Sequence, residues 1–448
     1  MSSISSGILT ASGQHFGSSL ARAVTTSRPT LKGFDLQEYL GGYKGYAKIR
    51  RAIYAGERCP DLSVESYRVA LGEVEQNTYD AKTFTHLCKT LSQLTGDDID
   101  GSEWSGRVNK LAKDQDTEIR GELERAKKQV SKRESLRAQK LYVELLQKRG
   151  MMDEAVRALQ EGRNFCADVK DQALLHIDAA RISQIMGRWL QVATYIQRTE
   201  SVLPDPAEPT ATELAVLRAQ SSFGDCKWSV AVSELQALSF DKMLSGGIFA
   251  RGVVTARDIA LYGTLAGLAS LERDQIKAKL IDNVMFGQFL DNMPECQLLL
   301  QSYYNSKYAD ALARLSQIMS FCKLDPVIGP HVAALEQRIK DNIVVLYTQP
   351  FASIRMDSMA EALCFSSVKV LEDTLVRMID SKLIQARIDG PTGFLVKHAV
   401  DPRDAALKRV DEMHQAFTLQ AELMSARIQY LEEESKRSST SARIHYRR

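Results

Sequence analysis

The hydrophobic and polar positions of this chain repeat, in its middle part, at a nearly constant interval of roughly 40 residues. Each repeat has a turn of small or polar residues, and the turn is followed by Met152, Trp189, Trp228 or Tyr308. The interval from Trp228 to Tyr308 is about twice as long as the others and therefore contains two periods. A fixed period of this size is typical of stacked helical hairpins, each of which buries its apolar face only against its neighbours. The pattern therefore predicts a helical-repeat solenoid over residues 136–322.

Small residues are expected to fill the tight helix crossings: Ala155, Ala179, Ala180, Ala193 and Ala231. Ala311 follows the last of the repeated turns. Trp189 and Trp228 are expected at the first position of the second helix of each hairpin. An aromatic residue there is either a packing anchor between hairpins or a binding hot spot, and the packing interpretation is preferred.

Residues 35–135 are predicted to form an N-terminal helical region. Asp61 is a candidate cap for a helix that begins near Leu62. Residues 107–140 are highly charged with sparse apolar positions, which predicts one long exposed helix with a Glu124–Lys128 pair. A loop is expected around Gly96 to Gly106. The basic residues of this stretch are interrupted by acids and lack interleaved aromatics, which weighs against a nucleic-acid surface.

After Pro350 the pattern changes to short strands and short helices. Ser353–Arg355 is a short β signal, Met356 to Leu363 a short helix, and Ser366 or Ser367 can cap a second helix with an apolar face. Two further strands are expected on either side of the turn at 389–393, with the residues Ile384, Gln385, Ala386, Arg387 and Ile388, then Phe394, Leu395 and Val396. Strand, helix, helix, strand, turn and strand is the order of a winged helix, predicted over 323–400.

Winged helices often bind DNA through their second helix. Here that helix carries Lys369 and Arg377 but also three acids, Glu372, Asp373 and Asp380, which phosphates would repel. A protein-binding domain whose exposed strand edge pairs with another chain is therefore the preferred hypothesis.

Apolar positions then step by three and four residues along a final helix predicted over 401–435. This near-heptad seam consists of Leu407, Val410, His414, Phe417, Ala421, Met424, Ile428 and Leu431. His414 is either hydrogen-bonded within a bundle or a pH switch, and the former is preferred. Residues 436–448 are basic and are expected to be unstructured.

Composition excludes several classes of protein. The net charge is +2, so no global field attracts nucleic acid or an anionic membrane. The longest apolar stretch, Ile259 to Leu271, is too short to span a bilayer. Seven widely spaced cysteines without a CxxC pair predict reduced thiols in an intracellular protein. The segment 1–34 is rich in Ser and Thr and predicts a disordered tail, with a mitochondrial transit peptide as the alternative.

No arrangement of residues points to catalysis, a cofactor or a metal. The closest histidines in the sequence are His398 and His414, so neither an HxH nor an HExxH pair occurs. A GxxxxGK[ST] phosphate loop and a GxSxG elbow are also missing. The expected fold class is mainly α: a TPR-like helical-repeat solenoid, a winged-helix domain and a long C-terminal helix, without enzymatic activity.

This domain order resembles the PCI family, and several blocks sharpen the resemblance towards its signalosome branch. These blocks are Cys59–Glu65, Glu134–Arg137, Arg163–Cys166, Ile259–Gly263, Ser306–Ala309, Pro330–Val332, Tyr347, Pro350–Phe351, Met356–Ala360, Leu371–Asp373 and Ala386–Asp389. They cover about residues 35 to 430, whereas the segment 1–34 and the loop near Gly96 do not match clearly. The paralogous proteasome-lid subunits are the alternative.

The resemblance implies a non-catalytic scaffold. Signalosome PCI subunits align their winged helices edge to edge and send their last helices into a shared bundle, within a complex that removes a ubiquitin-like modifier from cullins. The implied partners are other PCI-domain and MPN-domain subunits and, indirectly, cullin-RING ligases, with no membrane and no cofactor. The implied location is nucleus and cytoplasm, and the implied subunit interface is the two wing strands and the seam.

Overall fold

The computed structural model describes residues 35–97, 99, 101–397 and 402–445. The predicted N-terminal tail, residues 1–34, lies outside them. The described residues are mainly helical, with three short strands near the C-terminus. The chain divides into two compact units, one up to Ile343 and one from Val344 onward.

The N-terminal region consists of helices with one buried apolar cluster. Leu36, Ala52, Tyr67, Val74 and Leu87 contribute to this cluster. Asp61 does not cap a helix, because it lies in a 3-10 turn, Pro60–Leu62, and the next helix begins at Ser63 without a side-chain cap. The helices are α1 Leu36–Leu40, α2 Gly45–Arg58, α3 Ser63–Asn77, α4 Ala81–Thr95 and α5 Ser102–Lys128.

The predicted single helix over 107–140 is wrong, because the chain breaks between α5 and a new helix, α6, Lys132–Lys148. Val130 takes a left-handed conformation with φ 54°, and Ser131 caps α6 by accepting a bond from the backbone N–H of Glu134. Ser-x-x-Glu is a capping-box signature, so the sequence did contain a signal for this start. Glu124 pairs with Lys127 at 3.1 Å rather than with Lys128.

The repeats follow α6 as helices that pack against their neighbours along the chain. A second apolar cluster lies in their first part, from Leu136 to Leu217, and includes Leu146, Leu159, Ile177 and Val192. Their helices are α7 Met152–Gly162, α8 Val169–Met186, α9 Trp189–Val202, α10 Thr210–Gly224, α11 Trp228–Leu235, α12 Phe240–Ser245, α13 Ala256–Ser270, α14 Arg273–Ile276, α15 Val284–Leu290, α16 Pro294–Tyr304, α17 Tyr308–Cys322 and α18 Val332–Thr348.

The repeat period corresponds to one turn geometry used four times. Trp189 and Trp228 are each the first residue of a helix, as predicted, and Met152 and Tyr308 occupy the same position in their helices. The residue two positions before each of them has a positive φ: Gly150, Gly187, Cys226 and Ser306. Glycine adopts this conformation without a steric penalty, so the later two turns carry strain that the first two avoid.

Trp189 packs between hairpins, in agreement with the packing interpretation. Its ring lies against Gly224 at the end of α10, where a methyl group would overlap it. Trp228 stacks edge-on with Phe223 at 5.1 Å between ring centroids. Ala155, Ala231 and Ala311 are buried, but Ala193 is half-buried, because Val192 takes the equivalent inward position in α9.

Gly224→Ala is expected to lower the free energy of unfolding by about 1–3 kcal/mol, because the added methyl group pushes the Trp189 ring out of its place. Gly106→Ala in α5 is the matched control. It has open space around it and should gain about 0.5–1 kcal/mol from helix propensity. Urea unfolding followed by tryptophan fluorescence measures both. Equal effects of the two substitutions would show that Trp189 is not packed on Gly224.

A buried cluster of charged and tyrosine side chains connects α2 to the repeats. We call it the Arg51 cluster, and its members are Arg51, Tyr43, Asp258, Tyr262 and Asp325. The Arg51 guanidinium on α2 lies 2.7 Å from Asp325, after α17, and 3.5 Å from Asp258 in α13. Tyr43 donates to Asp258 at 2.6 Å and Tyr262 donates to Asp325 at 2.9 Å. These side chains are almost completely buried, so the cluster connects the N-terminal helices to distant parts of the sequence through direct contacts.

The protonation states of the Arg51 cluster depend on its burial. Burial alone would lower the pKa of Arg51, but the carboxylates of Asp325 and Asp258 hold it well above its usual range. Burial raises the pKa of Asp258, against the opposing charge of Arg51. A buried charge that loses its partner is strongly destabilising, so each member depends on the others.

Candidate subunit interface

The second unit contains a winged-helix domain with the predicted order of elements. These are β1 Ser353–Arg355, α19 Met356–Ala362, α20 Val368–Asp380, β2 Ala386–Asp389 and β3 Phe394–Lys397. Ser367, one of the two predicted caps, accepts a bond from the backbone N–H of Val370. Leu371, Leu375 and Met378 form the buried face of α20. The mainly helical class with repeats and a winged helix is confirmed.

The wing is an antiparallel hairpin closed by the predicted turn. The N–H of Gly393, which has a φ of 67°, donates to the carbonyl of Asp389 at 2.9 Å. Ala386 pairs with Lys397 and Ile388 with Leu395. On its other side β3 pairs with β1, so the strand order is β1-β3-β2.

This order corrects part of the predicted interface. Phe394, Leu395 and Val396 lie in the central strand, so their backbone is paired on both sides and cannot receive another chain. The strand β2 begins at Ala386, so Ile384 and Gln385 precede it. The edges of the described sheet are instead the outer side of β2 and the outer side of β1 opposite it.

Side-chain burial divides the predicted wing residues further. Ile384, Ala386 and Leu395 are buried in the domain, where they hold the wing in place. Gln385 and Arg387 are exposed, and Ile388, Phe394 and Val396 are half-exposed. A partner that approaches this wing would therefore meet the backbone of β2 and the Arg387 side chain.

The outer face of α20 has mixed charge. Lys369, Asp373, Arg377 and Asp380 are exposed on it, alongside Val370. Alternating cations and acids do not provide the continuous positive surface that DNA phosphates require. The geometry therefore agrees with the preference for a protein partner.

The last helix, α21, runs from Pro402 to His445. It continues beyond the predicted end at 435, since the sequence after Pro402 contains neither proline nor glycine to stop it. Residues 446–448 lie outside the described part. The apolar members of its seam with described side chains are 54% to 68% exposed. They are Leu407, Val410, Phe417, Met424, Ile428 and Leu431. His414 and Ala421 are exposed as well.

A second apolar stripe on α21 was missed by the sequence reasoning. Leu419, Leu423, Ala426 and Tyr430 step by four, three and four residues, and the three large side chains are 60% to 67% exposed. Leu419 is two residues from Phe417, so it points about 200° away around the helix axis. The helix therefore has two apolar faces on opposite sides. In both faces the apolar residues are three or four positions apart, and this spacing is visible in the sequence.

Large apolar stripes exposed to water are typical of protein contact sites. A single helix gains little stability by itself and depends on packing of its apolar faces. Two opposed stripes can pack against two neighbours at once, as in the interior of a helix bundle. Within the described residues, no helix is long and apolar enough to cross a bilayer, and no cluster of three or more His, Cys, Asp or Glu side chains is arranged to hold a metal.

Sequence comparison places this architecture among known proteins. Residues 308–398 match the PCI domain, and residues 102–279 match the family described as 26S proteasome subunit RPN7. COP9 signalosome complex subunit 1 of Arabidopsis thaliana is 28% identical over 415 residues, covering 91% of this chain and 92% of the relative. Subunit 1b of Drosophila melanogaster is 26% identical, covering 84% and 81%. The 26S proteasome non-ATPase regulatory subunit 6 of Oryza sativa subsp. japonica is 26% identical, but covers only 38% of this chain.

Proposed function

We propose that this chain, a PCI-domain protein similar along most of its length to signalosome subunit 1, is a scaffold subunit of a COP9 signalosome. The observation that carries the proposal is the extent of that similarity, which covers 91% of the chain in one relative. The partial similarity to proteasome-lid subunits covers a much smaller part, 38% of the chain. The lid is therefore the second candidate.

The scaffold role is supported by the shape of α21 and the edge of the wing. Two opposed apolar stripes suit a helix that enters a bundle formed with the last helices of other subunits. The outer edge of β2 suits pairing with a neighbouring PCI domain, and Arg387 would lie at that contact. The expected partners are therefore PCI-domain and MPN-domain subunits, and the expected sites of action are nucleus and cytoplasm.

In such a complex, this chain would contribute positioning rather than chemistry. Removal of the ubiquitin-like modifier from cullins would be performed by a separate zinc-bearing subunit. The scaffold would affect that reaction, and so the cullin-RING ligases, only by keeping the complex intact.

Affinity purification of the tagged chain from cells is the test of this proposal. Signalosome subunits should co-purify, and proteasome-lid subunits should not. A second preparation lacking residues 402–448 should recover far fewer partners while its repeats still fold, as measured by circular dichroism. Recovery of lid subunits would overturn the signalosome assignment, and full recovery of partners without α21 would overturn its role in assembly.

A further inference from the structure

A groove in the repeats, formed by α7, α8 and α9 within the first unit, is not used by the proposed assembly role. Its volume is about 460 Å³, which is within the usual range of ligand sites. Its floor is apolar, and the floor residues are almost completely buried: Leu159, Leu175, Ala179 and Tyr195. Its rim is polar and carries Arg163 and Arg198.

The two rim arginines differ from the other arginines of the same repeats. Arg181 pairs with Glu213, Arg188 with Asp153, and Arg218 with Glu234. Among the residues that the structure describes, neither Arg163 nor Arg198 has a carboxylate as ion-pair partner. The Arg198 guanidinium lies instead over the Tyr195 ring, 5.4 Å from its centroid.

His176 lines the groove and lies close enough to both arginines to feel their charge. Burial is the largest cause of the lowered pKa of His176, and the positive charges of Arg163 and Arg198 lower it further. No carboxylate is among the groups that shift this pKa. The Nδ1 of His176 is buried without a hydrogen-bond partner in the described structure. Near the Arg163 end of the groove there is one acid, Asp171, which together with burial raises the pKa of Cys166. The positive charges of Lys140 and Arg163 act in the opposite direction and lower that pKa. The groove is therefore a site of net positive charge.

We propose that this groove binds an acidic segment of another polypeptide, with one carboxylate or phosphate held between Arg163 and Arg198. Guanidinium groups bind both oxyanions through charge-assisted hydrogen bonds. The apolar floor would receive a neighbouring apolar side chain of the same segment. A volume of this size exceeds what a single oxyanion fills, so an oxyanion attached to a larger group fits it better.

Fluorescence anisotropy with the full-length chain tests the proposal. The probes are three labelled peptides of one length: one alternating glutamate and leucine, one with phosphoserine in place of the central glutamate, and one with glutamine in place of every glutamate. The first two should bind and the third should not. Their relative affinities decide whether a carboxylate or a phosphate is preferred.

Arg163→Gln combined with Arg198→Gln should weaken binding of the acidic peptide by about a hundredfold, since each charge-assisted contact is worth about a factor of ten. Arg157→Gln is the matched control, because Arg157 is an exposed arginine of α7 outside the groove. Ser201→Glu, which brings a negative charge to the rim, should also abolish binding.

The pH dependence gives an independent measurement. An oxyanion between the arginines would raise the pKa of His176, so binding of the carboxylate peptide should take up a proton and tighten as the pH falls from about 8 to about 6. His176→Gln should remove this dependence. Equal binding of the glutamine peptide, or unchanged binding of the acidic peptide by the double arginine variant, would overturn the proposal. None of these results bears on assembly through α21.

Discussion

Arg51→Ala is expected to lower the free energy of unfolding by about 3–5 kcal/mol, the largest effect on stability that we predict. The substitution leaves Asp258 and Asp325 buried without a cation, because Arg51 is their shared partner at 3.5 and 2.7 Å. The tryptophans all lie in the first unit, at positions 104, 189 and 228, so their fluorescence during urea unfolding reports on the part of the chain that contains the cluster.

The pH dependence of this deficit distinguishes lost charge pairing from lost packing. Carboxyls without a cation have a folded-state pKa above the unfolded value, which destabilises the protein at every pH above that range. The deficit should therefore be complete at about pH 7 and shrink as the pH falls towards about 5. Arg58→Ala, on the exposed side of α2, is the control and should cost less than about 1 kcal/mol. A deficit that equals the control would contradict the proposed importance of the cluster.

Phe417→Glu combined with Met424→Glu is expected to prevent incorporation into the complex. Both side chains lie on the seam of α21 and are more than half exposed in the isolated chain, at 68% and 58%. Two carboxylates buried in a bundle without partners would cost several kcal/mol each, which exceeds what the helix gains by packing. Gel filtration of the tagged chain from cell extract should show it in free fractions.

Thr418→Glu combined with Ser425→Glu is the matched control for the seam variant. These positions have the same spacing and the same added charge, and each is one residue further along the helix on a polar face. The control should co-elute with the complex. If both variants assemble normally, the seam does not contact partners; if both fail, charge rather than position is responsible.

The starts of the repeat helices were predictable because they depend on local sequence. An aromatic or methionine residue two positions after a positive-φ residue marks the first residue of α7, α9, α11 and α17. Glycine favours this geometry in the first two turns, whereas Cys226 and Ser306 adopt it at a steric cost in the later two. The order of elements in the winged helix was predictable for the same reason. The second stripe on α21 was also readable, since it follows the same three- and four-residue steps as the seam.

The order of the strands depended on contacts between distant residues. The strand order β1-β3-β2 makes the segment at Phe394 central, and alternation alone cannot say which strand of a small sheet lies in the middle. The break between α5 and α6 is different, because Val130 is 85% exposed and the local cap formed by Ser131 and Glu134 marks the new helix. Of these two features, only the strand order therefore required contacts that a local pattern does not contain.

By itself, the sequence determined the repeat period, the winged helix and the seam, since periodicity along one chain specifies which face of each element is apolar. Only the tertiary structure decided that Arg51 is shared between Asp258 and Asp325, while Arg163 and Arg198 lie together at the rim of a groove. The sequence does not distinguish these three arginines, because it does not give the distance from each guanidinium to the nearest carboxylate. Electrostatic free energy depends on separation and burial, and these are set only when the helices pack.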